Sequence, residues 1–232
     1  MSETADPGLR ARKKERTRRL IADTAQALFR ERGFDRVTVA EVAAVADVSE
    51  GTVFNYFPAK EDLFWSGMDL FEAHLVHEVA GRPEGEAVLD AFQRVVLDGI
   101  PRLADPSRAA VIAAARTTIQ ASEALRARER EIVARYTAEL ADVIAADTGA
   151  RPNDPAALAA AAALMGAQRA LVAFVHERVA AGESGPKLAA AARAQARRVF
   201  SLLGDGLGGY AVRPRNAGRA ARIAPPRPRR ID

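Results

Sequence analysis

Two short helices joined by a tight turn form the strongest structural signal in the sequence. The stretch T-V-A-E that begins at Thr38 is a capping box, in which the threonine oxygen and the glutamate carboxylate each satisfy a free backbone donor. The connection D-V-S follows, and its Ser49 is the N-cap of the next helix. Pro58 ends that helix after about two turns, because proline cannot continue a helix.

A longer helix precedes this pair. Apolar residues recur at helical spacing from Lys14 to Arg32, and Gly33 stands where a C-terminal cap belongs. Three helices with a tight turn before the last one describe a helix-turn-helix. We therefore predict a basic disordered arm at 1–13 and a helix-turn-helix domain at 14–60.

The third helix presents polar side chains opposite its apolar anchors. On a helix from Glu50 to Phe57, Val53 and Phe57 lie four residues apart and can pack on the first two helices. The second helix of such a motif enters the DNA major groove, where asparagine can pair with adenine, threonine can contact the thymine methyl, and tyrosine or lysine can reach phosphate. The outward candidates are Thr52, Asn55, Tyr56 and Lys60, with Gly51 allowing close approach of the first turn. The alternative is that they form the surface of an ordinary three-helix bundle.

At these residues the sequence resembles the TetR family of bacterial transcriptional regulators. The resemblance runs from Thr17 to about Phe64, where GFDRVTVAEVAAVADVSEGTVFNYFPAKEDLF is similar to the family's threonine-rich second helix, its S-x-G-T-x-Y recognition start and its F-x-x-K-E-x-L entry to helix four. The DNA-contacting positions that it implies, with two neighbours on the same helix, are Thr38, Ser49, Glu50, Gly51, Thr52, Phe54, Asn55, Tyr56 and Lys60. Phe54 stands where the family usually has tyrosine, so a phosphate contact from that hydroxyl is missing.

The remainder of the chain is also helical by its periodicity. Helix four is expected to continue from Lys60 to Val79 and to link two domains. Further helices are predicted at about 86–99, 106–120, 122–147, 154–181 and 186–204. The fold class is therefore all-α, and the resemblance implies that 61–204 is a ligand-binding and dimerisation domain. A tail at 205–232, rich in Arg, Pro and Gly, is predicted to be basic and disordered.

The last two predicted helices are rich in small side chains, which let helices approach one another closely. These side chains are Ala159 to Ala163, Gly166, Ala167, Ala170, Ala189 to Ala192, Ala194 and Ala196. In regulators that resemble this chain, the final two helices of each subunit form a homodimer interface, and a two-fold symmetric protein suits a palindromic operator. The alternative is that alanine reflects composition and helix propensity alone.

Candidate ligand contacts are the polar or aromatic side chains within otherwise apolar helices. They are Phe71, Phe92, Arg116, Thr117, Gln120, Tyr136, Gln168 and Phe174. A mostly apolar cavity with a few polar groups would suit a lipophilic small molecule, which would be the inducer. For each candidate the alternative is core packing or an exposed position, and Arg116 could instead pair with a glutamate.

Charge is distributed unevenly along a chain whose net charge is +4. Arg and Lys dominate residues 10–19 and 205–232, whereas 61–204 is slightly acidic. Such asymmetry favours a polyanion touched by the ends, and solubility is the alternative explanation. No apolar run approaches the roughly 20 residues of a membrane span, and no apolar signal region follows the N-terminus. We therefore expect a cytoplasmic protein without a membrane partner.

No catalytic, cofactor or metal-binding constellation is predicted. The absence of cysteine excludes disulfides, thiolate nucleophiles and cysteine zinc sites, and His74 and His77 have no third ligand nearby. Gly204, Gly206 and Gly209 match G-x-G-x-x-G without the preceding strand of a dinucleotide site. The sequence thus predicts a DNA-binding regulator and not an enzyme: a repressor dimer released from its operator by a lipophilic molecule. The competing hypothesis is a constitutive or architectural DNA-binding protein without a ligand.

Overall fold

The computed structural model describes residues 7–66, 71–207, 209 and 211–212, and these residues form ten α-helices. The helices of the N-terminal part are α1 (Pro7–Arg32), α2 (Val39–Val45), α3 (Glu50–Tyr56) and α4 (Lys60–Ser66). Those of the C-terminal part are α5 (Phe71–Ala80), α6 (Val88–Leu103), α7 (Pro106–Ala121), α8 (Glu123–Thr148), α9 (Pro155–Ala180) and α10 (Gly185–Leu207). The predicted all-α class is confirmed.

The first helix begins earlier than its apolar periodicity indicates. α1 starts at Pro7, so the part of the expected disordered arm from 7 to 13 is helical, while residues 1–6 lie outside the described residues. Proline favours the first helical position, and the Arg and Lys that follow are good helix formers even without an apolar stripe. The side chain of Arg12 also donates to the carbonyl of Gly8, one turn earlier, at 3.1 Å.

Two other predicted boundaries differ or lie outside the described part. α10 ends at Leu207, a few residues beyond the predicted end of the second domain, and residues 213–232 of the expected tail are outside the described residues. The predicted continuity of helix four falls on residues 67–70, which are also outside them, and α4 and α5 are therefore described separately.

The N-terminal helices enclose one aromatic core. Val53 of α3 and Phe57 after it are buried, as their spacing predicts, and pack with α1 and α2. Phe34 is central, since its ring lies 5.1 Å from that of Phe29 and 5.8 Å from that of Phe64. Two residues from the far part of the chain complete this core. They are Ile119 at the end of α7 and Leu125 at the start of α8.

α9 is the central helix of the C-terminal part. It packs against α7, α8 and α10 and contributes nine buried apolar residues to a second core. Among the described helices, α9 has the length and apolar composition to cross a membrane, although the sequence analysis recognised no such run. Within the protein, 44% of its most apolar window is buried. The core helix of a globular domain can have the same length and apolar composition.

A buried arginine ties together the loop after α5, the end of α8 and the end of the described chain. Arg82, which is 1% exposed, donates to the carbonyls of Val79, Glu86 and Ala211 at 2.9, 3.1 and 2.8 Å. Its Nη2 also donates to the carboxylate of Asp147 at 2.6 Å. The buried guanidinium is thus both paired and hydrogen-bonded, as a charge away from water requires.

Candidate nucleic-acid interface and ligand cavity

The capping box at the start of α2 is complete. Thr38 Oγ1 accepts from the backbone N–H of Glu41 at 3.2 Å, and the Glu41 carboxylate accepts from the backbone N–H of Thr38 at 2.7 Å. Arg32 of α1 donates to the same carboxylate at 2.6 Å. The Thr38 backbone hydrogen bond, followed by the one from Arg32, lowers the pKa of Glu41 from 4.5 to about 2. These bonds fix the start of α2 against the end of α1.

The turn between α2 and α3 sets the direction of the third helix. Asp47 adopts a φ of 53°, the left-handed conformation that Asp tolerates better than most residues. Ser49 then caps α3, because its Oγ accepts from the backbone N–H of Thr52 at 3.1 Å and lies 2.8 Å from the Thr52 hydroxyl. The predicted cap is confirmed, and it also orients the threonine hydroxyl at the first turn of α3.

The predicted DNA-contacting residues lie on α3, at the N-caps of α2 and α3, and at the start of α4. The exposed ones are Thr38, Ser49, Glu50, Gly51, Phe54 and Asn55, and the half-buried ones are Thr52, Tyr56 and Lys60. Phe54 is 46% exposed, and Val45 at the end of α2 is 64% exposed. The surface therefore combines hydrogen-bonding groups with two large apolar side chains that the N-terminal core leaves uncovered.

Lys60 and Tyr56 do not point fully into solvent, because each packs partly against residues of the N-terminal core. The Nζ of Lys60 lies 4.2 Å from the centre of the Phe34 ring, and burial lowers the pKa of this lysine. Tyr56 packs against the N-terminal core. Arg18 of α1, within the basic segment at 10–19, has its guanidinium over the Phe57 ring at 5.0 Å. This position adds a basic group beside the end of α3.

A cavity of about 360 Å³ lies among α4, α5, α7, α8 and α9. Its walls are Trp65, Glu72, Arg116, Glu129, Ile132, Val133, Gly166, Gln168, Arg169, Ala170, Val172, Ala173 and His176. Arg116 and Gln168 are the two predicted ligand contacts that it brings together. Phe71 lines a smaller cavity of about 20 Å³, to which Gln168 also contributes.

The other five predicted ligand contacts line neither of these two cavities. Phe92 and Tyr136 are buried in the second core, with the Phe92 ring 6.0 Å from that of Phe200. Thr117 is exposed and donates to a carbonyl of its own helix. Gln120 is also exposed and lies against the guanidinium of Arg116. Phe174 lies beneath the guanidinium of Arg178 at 5.3 Å.

The cavity carries more charge than the mostly apolar cavity that the sequence analysis expected. Arg116 pairs with Glu129 at 3.2 Å, so the pairing alternative for this arginine is correct. Burial raises the pKa of Glu72, and the nearby Glu129 raises it further. Burial, and then the charge of Arg116, lowers the pKa of His176. Glu72, Glu129 and His176 escaped the sequence analysis because each is an ordinary polar residue on its own helix.

No group of three or more His, Asp and Glu side chains among the described residues is placed to hold a metal ion.

The helix-turn-helix matches known proteins. The model of the family described as bacterial regulatory proteins, tetR family, matches residues 21–65, which contain the C-terminal part of α1, all of α2 and α3, and most of α4. Residues 21–65 thus form a helix-turn-helix of the TetR type. The proteins that the chain matches include ones named as regulators of transcription.

Individual proteins of known name match part of this chain. The nucleoid occlusion factor SlmA of Pasteurella multocida is 34% identical over 89 residues, which cover 37% of this chain and 45% of that protein. The transcriptional regulator TcmR of Streptomyces glaucescens is 33% identical over 86 residues, which cover 37% of this chain and 38% of that protein. The chain thus spans less than half the length of either relative.

The whole fold has a structural counterpart. The crystal structure of a TetR-family regulator from Streptomyces coelicolor A3 superimposes with a TM-score of 0.52, covering 82% of this chain and 95% of that one. The two sequences are 20% identical, so the likeness extends to the fold and not to the ligand.

Proposed function

We propose that this protein is a TetR-family repressor that leaves a palindromic operator when a small molecule binds the cavity among α4, α5, α7, α8 and α9. The observation that carries the proposal is the position of Trp65, which lines the cavity and packs against both cores. Its ring meets that of Phe64, a buried residue of the N-terminal core, edge to face at 5.7 Å. A ligand that displaces Trp65 would therefore act directly on the DNA-binding domain.

The corner between α7 and α8 supplies a second connection. Arg116 and Glu129 line the cavity, and between them in sequence Ile119 and Leu125 are buried in the N-terminal core. The hydroxyl of Ser122, at the corner itself, donates to Asp35 at 2.9 Å. The cavity wall and the support of the DNA-binding domain are thus parts of the same two helices.

An ion pair extends this connection to α4. Arg128, next to Glu129 on α8, donates to Asp62 from Nε at 3.0 Å and from Nη2 at 2.5 Å. Asp62 also accepts from the backbone N–H of Ala59, immediately before α4. A ligand shifts an equilibrium only if it binds one arrangement better than the other. The proposed inducer therefore favours a placement of α4 and the α7–α8 corner that no longer fits the operator.

The proposed homodimer forms through α9 and α10. α9 exposes a stripe of small residues at helical spacing, which would allow a second copy to approach closely. The stripe consists of Ala159, Ala162, Gly166, Ala170 and Ala173, of which the last three also line the cavity, so a second copy docked here would cover that side of the cavity. Two-fold symmetry would place the two α3 helices on half-sites about 34 Å apart or a multiple of this distance. With DNA as its partner, the protein would act in the cytoplasm.

Recovery of genomic fragments bound by the full-length protein tests the DNA face. Asn55→Ala should weaken binding to the recovered operator by about 1 to 3 kcal/mol and relax base preference if Asn55 contacts a base. Lys60→Ala should weaken all sequences alike and lower the salt slope by about one unit if Lys60 contacts phosphate. Asn153→Ala, in the exposed loop before α9, is the control. If both variants bind the operator as tightly as the wild type at every salt concentration, the assignment of α3 as the recognition helix is wrong.

A constitutive DNA-binding protein is the second candidate, because the matched SlmA is named as a nucleoid occlusion factor. Native mass spectrometry of the purified protein separates the two functions. A co-purifying small molecule that weakens operator binding when added back supports the regulated repressor. No bound molecule, together with operator affinity that no metabolite extract changes, supports the constitutive protein.

A further inference from the structure

The cavity contains two buried polar atoms without a hydrogen-bond partner. They are Nε1 of Trp65, which is a donor, and Oε1 of Gln168, which is an acceptor. Gln168 is 3% exposed, and like Trp65 it is one of the residues that line the cavity. Buried polar groups nearly always have partners, so two unsatisfied groups on residues of the same cavity wall indicate that a polar molecule bound there completes their hydrogen bonds.

The charges of the cavity are also incompletely paired. The guanidinium of Arg116 is occupied by Glu129 at 3.2 Å and by the amide of Gln120. Glu72 is half-buried on the cavity wall, and among the described residues no cation forms an ion pair with it. Of the remaining basic groups, Arg169 is exposed at the rim and screened by water, and His176 is half-buried with a lowered pKa. Glu72 is therefore a carboxyl of the cavity wall that has no ion-pair partner among the described residues.

From these features we infer that the cavity binds an organic amine that also carries an oxygen acceptor. The protonated amine would donate to the carboxylate of Glu72 and to Oε1 of Gln168, and the ligand oxygen would accept from Nε1 of Trp65. Apolar parts of the ligand would lie against Ile132 and Val172. The inference deepens the proposed function, because it assumes that this cavity is the inducer site, and it replaces a simply lipophilic inducer with an amphipathic amine.

The ionisation of Glu72 agrees with this assignment. Burial is the largest cause of its raised pKa, and the neighbouring Glu129 adds to it. A bound ammonium would favour the ionised carboxylate and lower that pKa again. An acidic ligand would face repulsion from Glu72 and Glu129, and Arg116 would have to leave its present partners to bind it.

Three compounds with one scaffold test the charge preference. Tyramine carries an ammonium group, tyrosol a hydroxyl and 4-hydroxyphenylacetate a carboxylate, and each has a phenol oxygen that can accept a hydrogen bond. Calorimetric titration into the full-length protein should show tyramine binding about tenfold or more tightly than tyrosol, a difference of about 1.4 kcal/mol, with the acid weakest. Equal or tighter binding of the alcohol or the acid, or no binding of tyramine, would overturn the inference.

A matched pair of variants assigns the charge to one residue. Glu72→Gln should weaken tyramine about tenfold and leave tyrosol nearly unchanged. Glu78→Gln, on the same helix but outside the cavity and close to His74 at 3.9 Å, should change neither. Circular dichroism confirms that both variants are folded. Tyramine affinity that is the same in Glu72→Gln as in the wild type refutes the role of Glu72.

A second set of measurements tests the proposed hydrogen bond from Trp65 to the ligand oxygen. Trp65→Phe keeps an aromatic ring but removes the indole N–H, so it should weaken tyramine several-fold. Phenethylamine, which has no oxygen, should bind Trp65→Phe and the wild type alike. An equal loss for both amines would mean that Trp65 contributes only packing, and the oxygen acceptor would then be dropped from the proposed ligand.

Operator release separates this inference from the proposed function. Tyramine binding that depends on Glu72 but leaves operator affinity unchanged supports the ligand class and contradicts regulation by this cavity. Release of the operator by an acid or a neutral lipid, with no response to amines, supports regulation and contradicts the ligand class.

Discussion

The two sites of this protein are assembled in opposite ways. The proposed DNA-binding face comes from a single continuous stretch, in which Thr38 and Ser49 cap two helices and the candidate contacts follow within a few residues. The cavity takes its walls from five helices that are far apart in sequence, from Trp65 to His176. Local rules therefore determine the first site, whereas the second exists only after the C-terminal helices have packed.

The N-terminal site is nevertheless not built from local residues alone. The N-terminal core is not closed by its own residues, because Ile119 and Leu125 are buried in it. The segment with the most local sequence signal thus depends on a distant part of the chain for its packing. Four substitutions test how far each region depends on local or on distant residues, and their expected effects on stability decrease in the order given.

Arg82→Met should have the largest effect on stability. Removing this guanidinium leaves Asp147 without its ion pair and removes a side-chain donor from three carbonyls, and breaking a buried pair of this kind costs about 3 to 5 kcal/mol. Urea unfolding of the full-length protein measures the loss. The control is Arg94→Met, because Arg94 is about two-fifths exposed in its pair with Glu86, and such surface pairs contribute about 0 to 1 kcal/mol. Equal losses would contradict the central role of Arg82.

Ile119→Ala tests whether the N-terminal core depends on α7. The side chain is 4% exposed, and truncating a buried isoleucine should cost about 2 to 4 kcal/mol. Hydrogen exchange should accelerate first at α3, although the substitution lies more than sixty residues away in sequence. Val111→Ala, at a 68% exposed position of the same helix, should have little effect. Faster exchange confined to α7 and α9 would show that the N-terminal core is self-sufficient.

Thr38→Ala removes the cap on which the local site depends. Loss of an N-cap hydrogen bond typically costs about 1 kcal/mol, so the expected loss is smaller than that for Ile119. Thr17→Ala is the control, because Thr17 bonds only a carbonyl of its own helix. Thermal unfolding measures both. A loss for Thr38 no larger than that for Thr17 would mean that tertiary packing, and not the capping box, fixes α2.

Glu72→Gln should have the smallest effect, and its sign is opposite to the others. The pKa of Glu72 is raised by burial, so the folded protein holds its proton more tightly than the unfolded chain does. This carboxyl therefore lowers wild-type stability at neutral pH, and the penalty disappears as the pH falls toward 4.5. We expect the variant to be slightly more stable at pH 7 and equal near pH 4. A variant less stable at pH 7 would indicate a partner for the carboxylate in the free protein.

The same contrast explains how much the sequence predicts. Caps, turns and apolar periodicity gave the helix-turn-helix because those signals act over a few residues. α1 began too late in the prediction, because a basic helix without an apolar stripe has no periodicity to detect. For the cavity, Arg116 and Gln168 were recognised as polar residues on apolar helices. Phe92 has the same pattern but packs against Phe200, because the choice between core and cavity depends on which helices become neighbours.

The corner between α7 and α8 has a practical consequence for protein engineering. Hybrid regulators join the DNA-binding domain of one protein to the sensing domain of another, and the natural cut falls after α4. Here that cut would separate the N-terminal core from Ile119, Leu125 and the Ser122 hydroxyl that bonds Asp35. A recipient must therefore present the same three side chains at its own corner. Transplanting the corner together with the domain is the design that we expect to remain folded and responsive.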